Sequence, residues 1–335
     1  MKKSFFRGVC AFLAVIFALS LVAYGGIKPQ KSKGDELKVV MALDGQDIYF
    51  EELRYVTLNA RLDMEYRYGE NCFEDSEKGE EYKAELESFV WESLKKNAVI
   101  MSYARELGID INSSDIKKAV QSAVDTLAED AGGKEGYLKQ LEENFMTDHL
   151  LRYNLQASQA LNLLQIKMME KKIIDGSDEA ARAAIESDDF IRTLHVYVQN
   201  DKGEDIDLNR QKAQTALDEL NSGEKLTRVI GRYSEDFYMT TTDGYYFTHG
   251  EYDQAYEDAA FALEIGEHSG IVETSTGFYI ICRLEKEDDH IKKNFETLKE
   301  QYIYAAADAI LTQRAQDANA AKTDFGKGLQ LTEIN

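Results

Sequence analysis

Three residues far apart in the chain carry side chains that can hold or pass a proton: His195, Asp236 and Tyr279. His195 lies in "LHVYV", Asp236 closes "RYSED", and Tyr279 sits inside "GFYII". An imidazole, a carboxylate and a phenol can build a hydrogen-bonded network, since each donates, accepts or does both. Taken singly, each has a plainer reading. A histidine on an alternating apolar strand is commonly a satisfied core residue. An aspartate at a helix end caps or turns the chain, and clustered tyrosines pack on sheets with their hydroxyls in water. His249 and His268 read as loop residues without metal-ligand spacing. Cys10, Cys72 and Cys282 form no CxxC pair, so zinc is not implied. Free thiols are expected at Cys72 and Cys282, with a disulfide between them left open.

The elements that must position these residues follow from periodicity. A strand is predicted over Lys38–Leu43, then a turn at Asp44-Gly45, extended chain at Ile48 and Tyr49, and a helix from Phe50-Glu51. Val90, Leu94, Ala98, Met101, Ala104 and Leu107 recur at helical spacing, which predicts one amphipathic helix over Ser88–Leu107, stopped by Gly108. Asn112, with Asp115 three residues on, is the predicted cap of the next. A break at Met146-Thr147-Asp148 precedes a long helix, and Gly176-Ser177-Asp178 separates it from a shorter one ending near Glu186. The period then changes. "FIRTLHVYV" alternates as a strand, two helices flank Asn221-Ser222-Gly223, and "GYYFTHG" leads to the helical "AYEDAAFAL". The strands "SGIVET" and "FYIICRL" follow, then a helix with Phe295, Leu298, Tyr302, Ala306 and Ile310 on one face. The tail "GLQLTEI" reads as a short strand.

Charge and the N-terminus bound the setting. The 335 residues carry a formal net charge of −22, so nucleic acid is an unsuitable partner, because phosphate binding needs Lys/Arg clusters. Lys2, Lys3 and Arg7 precede about fifteen apolar residues ending near Ala23, the pattern of an export signal. The uncharged run 8–27 is about long enough to span a bilayer. Residues 1–27 are therefore a signal peptide or a membrane anchor, and the chain is expected outside the cytoplasm, anchored or secreted after cleavage. Tyr24 stands where a lipoprotein signal would place cysteine.

Residues 190–284 resemble a parvulin-type peptidyl-prolyl isomerase domain. "LHVYV" is similar to the family's "SHILV", and "YSED" to its "YSxD". "TTDGYYFTHGEYDQAYEDAAFAL" resembles "GGDLGWFxxGxMxxxFEDAAFAL", and "EIGEHSGIVETSTGFYII" resembles "xxGExSxPVxTxxGYHII". The resemblance implies a catalytic set of His195, Asp236 and Tyr279, and a substrate pocket of Phe247, Tyr252, Tyr256, Phe261 and Thr274. The departures fall on functional positions. Tyr279 replaces the family's second histidine, Tyr252 its pocket methionine, Tyr256 its pocket phenylalanine, and Thr241-Thr242 its glycine pair. Rotation about an X–Pro bond breaks no covalent bond, so a pocket that grips the ring and excludes water can speed it without a nucleophile.

The flanks resemble PrsA-type foldases and SurA-type periplasmic chaperones. "VVMALDGQDIYFEELRYV" is similar to "VAxVNGxxITxxEF", and "LKKNAVIMSYARELGIDINSSDIKKAV" to "LIxxxLLxxxAxxxGIxVSxxEI". An α+β protein is implied: a discontinuous helical chaperone domain with an inserted parvulin-like β-α3-β-β domain. Its parts would be a linker over 28–37, chaperone helices over 38–187, the insert over 188–286, and a helix and strand over 287–335 that complete the chaperone domain. The implied partners are unfolded exported polypeptides, with membrane contact through the N-terminal segment and a homodimer left open. No cofactor is implied. A holdase whose insert has lost catalysis is the alternative.

Overall fold

A computed structural model describes residues 34–200, 206–239, 243–274 and 276–335. Residues 1–27, expected to be a signal peptide or anchor, and Thr241-Thr242 lie outside the described residues. Among those described, no helix is long and apolar enough to cross a membrane. The chain falls into two compact units, one ending at Lys171 and resuming over Ala309–Asn335, the other formed by Lys172–Asp308.

The first unit opens with β1 (Val39–Leu43) and β2 (Gln46–Tyr49), an antiparallel hairpin in which Leu43 pairs with Gln46. Asp44 and Gly45 both have positive φ, 46° and 78°, the two-residue turn whose twist suits a hairpin. Helices follow: α1 (Phe50–Tyr68), α2 (Gly79–Ser93), α3 (Lys95–Glu106), α4 (Ser114–Asp130), α5 (Lys134–Glu143) and α6 (Asp148–Glu170). The single helix expected over Ser88–Leu107 is two, interrupted at Leu94. Leu94 keeps helical dihedrals and is buried, so the apolar spacing runs through the break and hides it. The cap of α4 is Ser113, whose hydroxyl accepts from the Ile116 N–H, while the Asn112 N–H donates to Asp110. Thr147 caps α6 as expected of the break before it. Ile116, Val120, Tyr137, Leu141, Leu150 and Leu151 knit α4, α5 and α6 together.

In the second unit, α7 (Asp178–Glu186), capped by Ser177, leads to β3 (Phe190–Gln199). Then come α8 (Ile206–Asn221), α9 (Leu226–Tyr233), β4 (Tyr245–Thr248), α10 (Gln254–Ala262), β5 (Val272–Thr274) and β6 (Gly277–Leu284). The antiparallel sheet has the order β4-β3-β6-β5. It has one strand more than the β-α3-β-β reading: "GYYFTHG" contains β4, too short for alternation to reveal, held against β3 by pairs from Phe190–Thr248 to Thr193–Tyr245. β3 is buried on both faces, as a central strand is. Val196 and Val198 face α8 and α9, packing with Ala213, Ala216 and Val229, whereas Ile191 packs with Tyr256 and Ala260 of α10. Cys282 on β6 and Cys72 in the first unit are both buried free thiols.

α11 (Asp288–Asp317) leaves helical geometry at Asn294. Its Ile291, Phe295 and Leu298 pack with Ala181 and Ile185 of α7 and with Phe190 in the second unit. Arg314 belongs to the first unit and forks onto Glu106 of α3 at 2.8 and 3.0 Å. The strand that closes the first unit is β7 (Ala320–Lys322), paired with β1 to give the order β2-β1-β7. The tail 328–334 is therefore not the strand: that edge of β1 is already filled, and Leu331–Glu333 forms a 3-10 turn. Between them, α12 (Asp324–Lys327) brings Gly326 so close to Val40 that a Cβ would lie 2.1 Å from its carbonyl oxygen.

Candidate active site

Sheet register decides which side chains share a face. Thr193, His195 and Tyr197 alternate along β3; Tyr245 pairs with Thr193, Ile281 with His195, and Tyr279 with Tyr197. Paired antiparallel residues point the same way, so these side chains form one surface. Asp236 reaches it because the segment after α9 runs along the end of β3. The Tyr197 N–H donates to Ser234 Oγ (3.1 Å), the Glu235 N–H to the Tyr197 carbonyl (2.7 Å), and the Gln199 N–H to Glu235 Oε2 (2.8 Å). Those bonds give "YSED" a structural purpose: they deliver the aspartate beside the histidine.

The resulting network is continuous. His195 Nε2 lies 3.0 Å from Asp236 Oδ2, and His195 Nδ1 lies 3.0 Å from the Tyr256 hydroxyl, itself 3.0 Å from Thr193 Oγ1. Tyr245 donates to the same Asp236 Oδ2 at 2.6 Å, and Asp236 Oδ1 accepts from the N–H groups of Tyr238 (2.9 Å) and Met239 (3.3 Å). Burial pushes the Asp236 carboxyl up, but the bonds from His195, Tyr245 and the Tyr238 N–H outweigh it and hold it at about 2. An ionised Asp236 accepts from His195 Nε2, so that nitrogen carries a proton, while Nδ1 lies within hydrogen-bond distance of the Tyr256 hydroxyl. The histidine is 3% exposed.

Aromatic rings wall the site. Phe247 is fully buried; its ring centre is 4.6 Å from Tyr252, 5.8 Å from Tyr256 and 5.7 Å from Phe261. Tyr252 stacks on Tyr256 at 4.8 Å. Burial raises the phenol pKa of Tyr252 and of Tyr256, so both remain neutral donors. Tyr279 presents its ring edge to His195 at 5.1 Å and stacks on Tyr197 at 4.5 Å, while its hydroxyl lies 3.4 Å from Thr276 Oγ1. Its ring therefore lines the site, and its hydroxyl points along the β5–β6 turn. Thr274 serves the same turn, donating to the Gly277 carbonyl at 3.2 Å.

The structure thus brings His195, Asp236, Tyr256, Phe247, Tyr252 and Phe261 together, sets Tyr279 at the edge by its ring, and gives Thr274 to a turn. Three residues were not found by sequence reasoning. Tyr245 stacks on His195 at 5.4 Å and bonds Asp236, Thr193 ends the hydroxyl chain, and Glu257 holds the loop that presents Tyr252. The buried Glu257 carboxylate accepts from the N–H groups of Gly250 (3.0 Å), Glu251 (2.8 Å) and Tyr252 (2.9 Å). Its position in "YEDAAFAL" was the available signal; Tyr245 had none, since its partners lie on other elements.

Two family models match. Residues 1–189 match the SurA-like N-terminal domain, more than half of the chain, and 195–286 match the PPIC-type PPIASE domain. The chain belongs to the SurA/PrsA-type foldase family. It is 23% identical over 298 residues to "Foldase protein PrsA" of Caldanaerobacter subterraneus subsp. tengcongensis, covering 88% of this chain and 86% of that one. A Geobacillus "Foldase protein PrsA" is 31% identical over 113 residues, 33% of this chain and 37% of the relative. The crystal structure of a Streptococcus pneumoniae foldase protein PrsA has 18% identity and a TM-score of 0.37, covering 83% of this chain and 90% of that one. This foldase is accordingly an α+β protein with a SurA-like helical N-terminal domain and a parvulin-type peptidyl-prolyl isomerase domain.

Proposed function

We propose that this foldase holds unfolded exported polypeptides and speeds rotation about their X–Pro bonds at the His195–Asp236 site. The observation that carries the reading is the hydrogen-bonded network of His195, Asp236 and Tyr256 beside Phe247, Tyr252 and Phe261, in a matched isomerase domain. The rings would grip the proline and exclude water, which favours the planar amide. The polar groups would hold the twisted amide, an interaction useful only if stronger in the transition state. Tyr279 lines the site by its ring, so its loss of a histidine's nitrogens removes a polar contact without closing the network. The proposed layout keeps the chaperone domain discontinuous, with the insert near 188–286, and places the chain outside the cytoplasm, tethered by residues 1–27 or released after cleavage. A homodimer belongs to this proposal as an open arrangement.

A second reading has its own support. Phe247, Tyr252 and Tyr256 lie ring against ring at 4.6 to 5.8 Å, which fills space a proline would need. The insert would then be a binding domain in a holdase. A protease-coupled isomerisation assay on the soluble chain separates the two. Catalysis above the uncatalysed rate that falls in an Asp236→Ala variant supports the first. No such rate, with suppression of client aggregation intact, establishes the second.

A further inference from the structure

We infer that Tyr245 is a positioning residue of this site: its hydroxyl, docked on Asp236, locks His195 into the form that carries its proton on Nε2. Its consequence for rate rests on the isomerase reading above; its consequence for the imidazole does not.

In the family pattern "GGDLGWF", aligned with "TTDGYYF", a glycine stands where Tyr245 is. Gly244, at φ +73°, lies so close to β3 that a Cβ there would be 2.5 Å from the Thr193 carbonyl oxygen. That close approach seats Tyr245 opposite Thr193, on the face that carries His195. The Tyr245 ring then lies nearly parallel to the imidazole, 12° apart, while its hydroxyl bonds Asp236 Oδ2 at 2.6 Å. Asp236 thereby accepts four donors: His195, Tyr245 and two backbone N–H groups. Without the phenol, Oδ2 would lose its 2.6 Å donor and be free to shift against His195, leaving the imidazole to the Asp236 contact, the stacked ring and the Tyr256 hydroxyl on Nδ1. Tyr256 reads the imidazole from its other nitrogen, so the proton on Nε2 also orients the hydroxyl at the floor of the aromatic pocket. Tyr279 cannot take this role, because its hydroxyl faces Thr276.

The test is nitrogen NMR of the full soluble chain with labelled histidine, the His195 signals assigned by loss in a His195→Gln variant. In the wild-type chain near neutral pH, Nε2 should show the shift of a protonated nitrogen and Nδ1 that of a bare one. Tyr245→Phe keeps the ring and should average the two shifts, whereas Tyr245→His, a flat ring with a donor, should restore their separation. Tyr279→Phe should leave them untouched. In the isomerase assay Tyr245→Phe should lower kcat about tenfold with KM little changed, the size expected for one charge-assisted hydrogen bond. A wild-type His195 with mixed or doubly protonated nitrogens overturns the inference, and needs no variant to fold. So does a folded Tyr245→Phe chain whose His195 shifts match the wild type. If the shifts respond as stated but no variant or wild type catalyses isomerisation, the activity reading fails and the positioning role stands.

Discussion

Glu52 on α1 and Asp236 after α9 are both withdrawn from water, and their acidities move in opposite directions. Burial raises the Glu52 carboxyl, neighbouring Glu51 raises it further, and the Asn97 amide offsets only part, leaving it at about 8. Asp236 is pushed up by burial too, yet the bonds from His195, Tyr245 and the Tyr238 N–H pull it down to about 2. Glu51 shows where the donors of the helical unit went: its oxygens take Thr147 Oγ1 and His149 Nδ1. Desolvation acts on both acids in one sense, so the supply of donors decides the sign. The isomerase-domain carboxylate is built to be charged, and the helical one to be neutral.

The widest gap should open with pH. Folded Glu52 keeps its proton to about pH 8 and the unfolded chain only to about its ordinary 4.5, so stability falls as pH rises across that window. The loss is on the order of 3–5 kcal/mol. Urea unfolding at about pH 5 and pH 9 should show it, and Glu52→Gln should flatten the curve over that range. A wild-type midpoint that does not move would mean that Glu52 is not neutral in the fold.

Asp236 should give the mirror image. Its folded acidity of about 2 against an ordinary 3.8 contributes about 1 kcal/mol above the ordinary value once solvent screening of this partly buried group is allowed for, lost as pH falls through that interval. Asp236→Asn should remove this acid limb in chemical unfolding and lower isomerisation roughly 5- to 150-fold, the cost of one disrupted buried hydrogen bond. An unchanged acid limb would place the carboxylate outside the network.

Smaller effects test the edges of each cluster. The His149 side chain is 57% exposed, so its pair with Glu51 is partly in water. His149→Ala should cost below about 1 kcal/mol by thermal unfolding; a larger loss would mean that Glu51 depends on it. Least of all, Tyr279→Phe should change the isomerisation rate less than about twofold, since the hydroxyl it removes bonds Thr276 and Tyr197 at the edge of the site. A severe loss of rate would return the hydroxyl to the site.

Much of the fold was legible in the chain. The Asp44-Gly45 turn, the helix breaks at Met146-Thr147-Asp148 and Gly176-Ser177-Asp178 and the strand β3 depend on neighbours a few residues away, and each stands where the sequence put it. The site was legible where motifs named it, at His195, Asp236 and the "YEDAAFAL" helix. It was not legible at Tyr245, whose meaning comes from pairing with a strand about fifty residues earlier. The strand β7 is a similar case, because "AAK" has no strand signal and pairs only because β1 offers a free edge.

By itself, then, the sequence determined the order and kind of most elements, the family, and the residue types available for a polar network in an aromatic wall. Tertiary structure alone decided that Tyr245 reaches Asp236, that Tyr279 turns its hydroxyl away, and that Glu52 keeps its proton while Asp236 gives it up. Turns, caps and periodicity are set by dihedral preferences and nearby hydrogen bonds, which the local sequence contains. Register, donor count and desolvation are sums over groups from distant segments, and they acquire a value only when those segments meet.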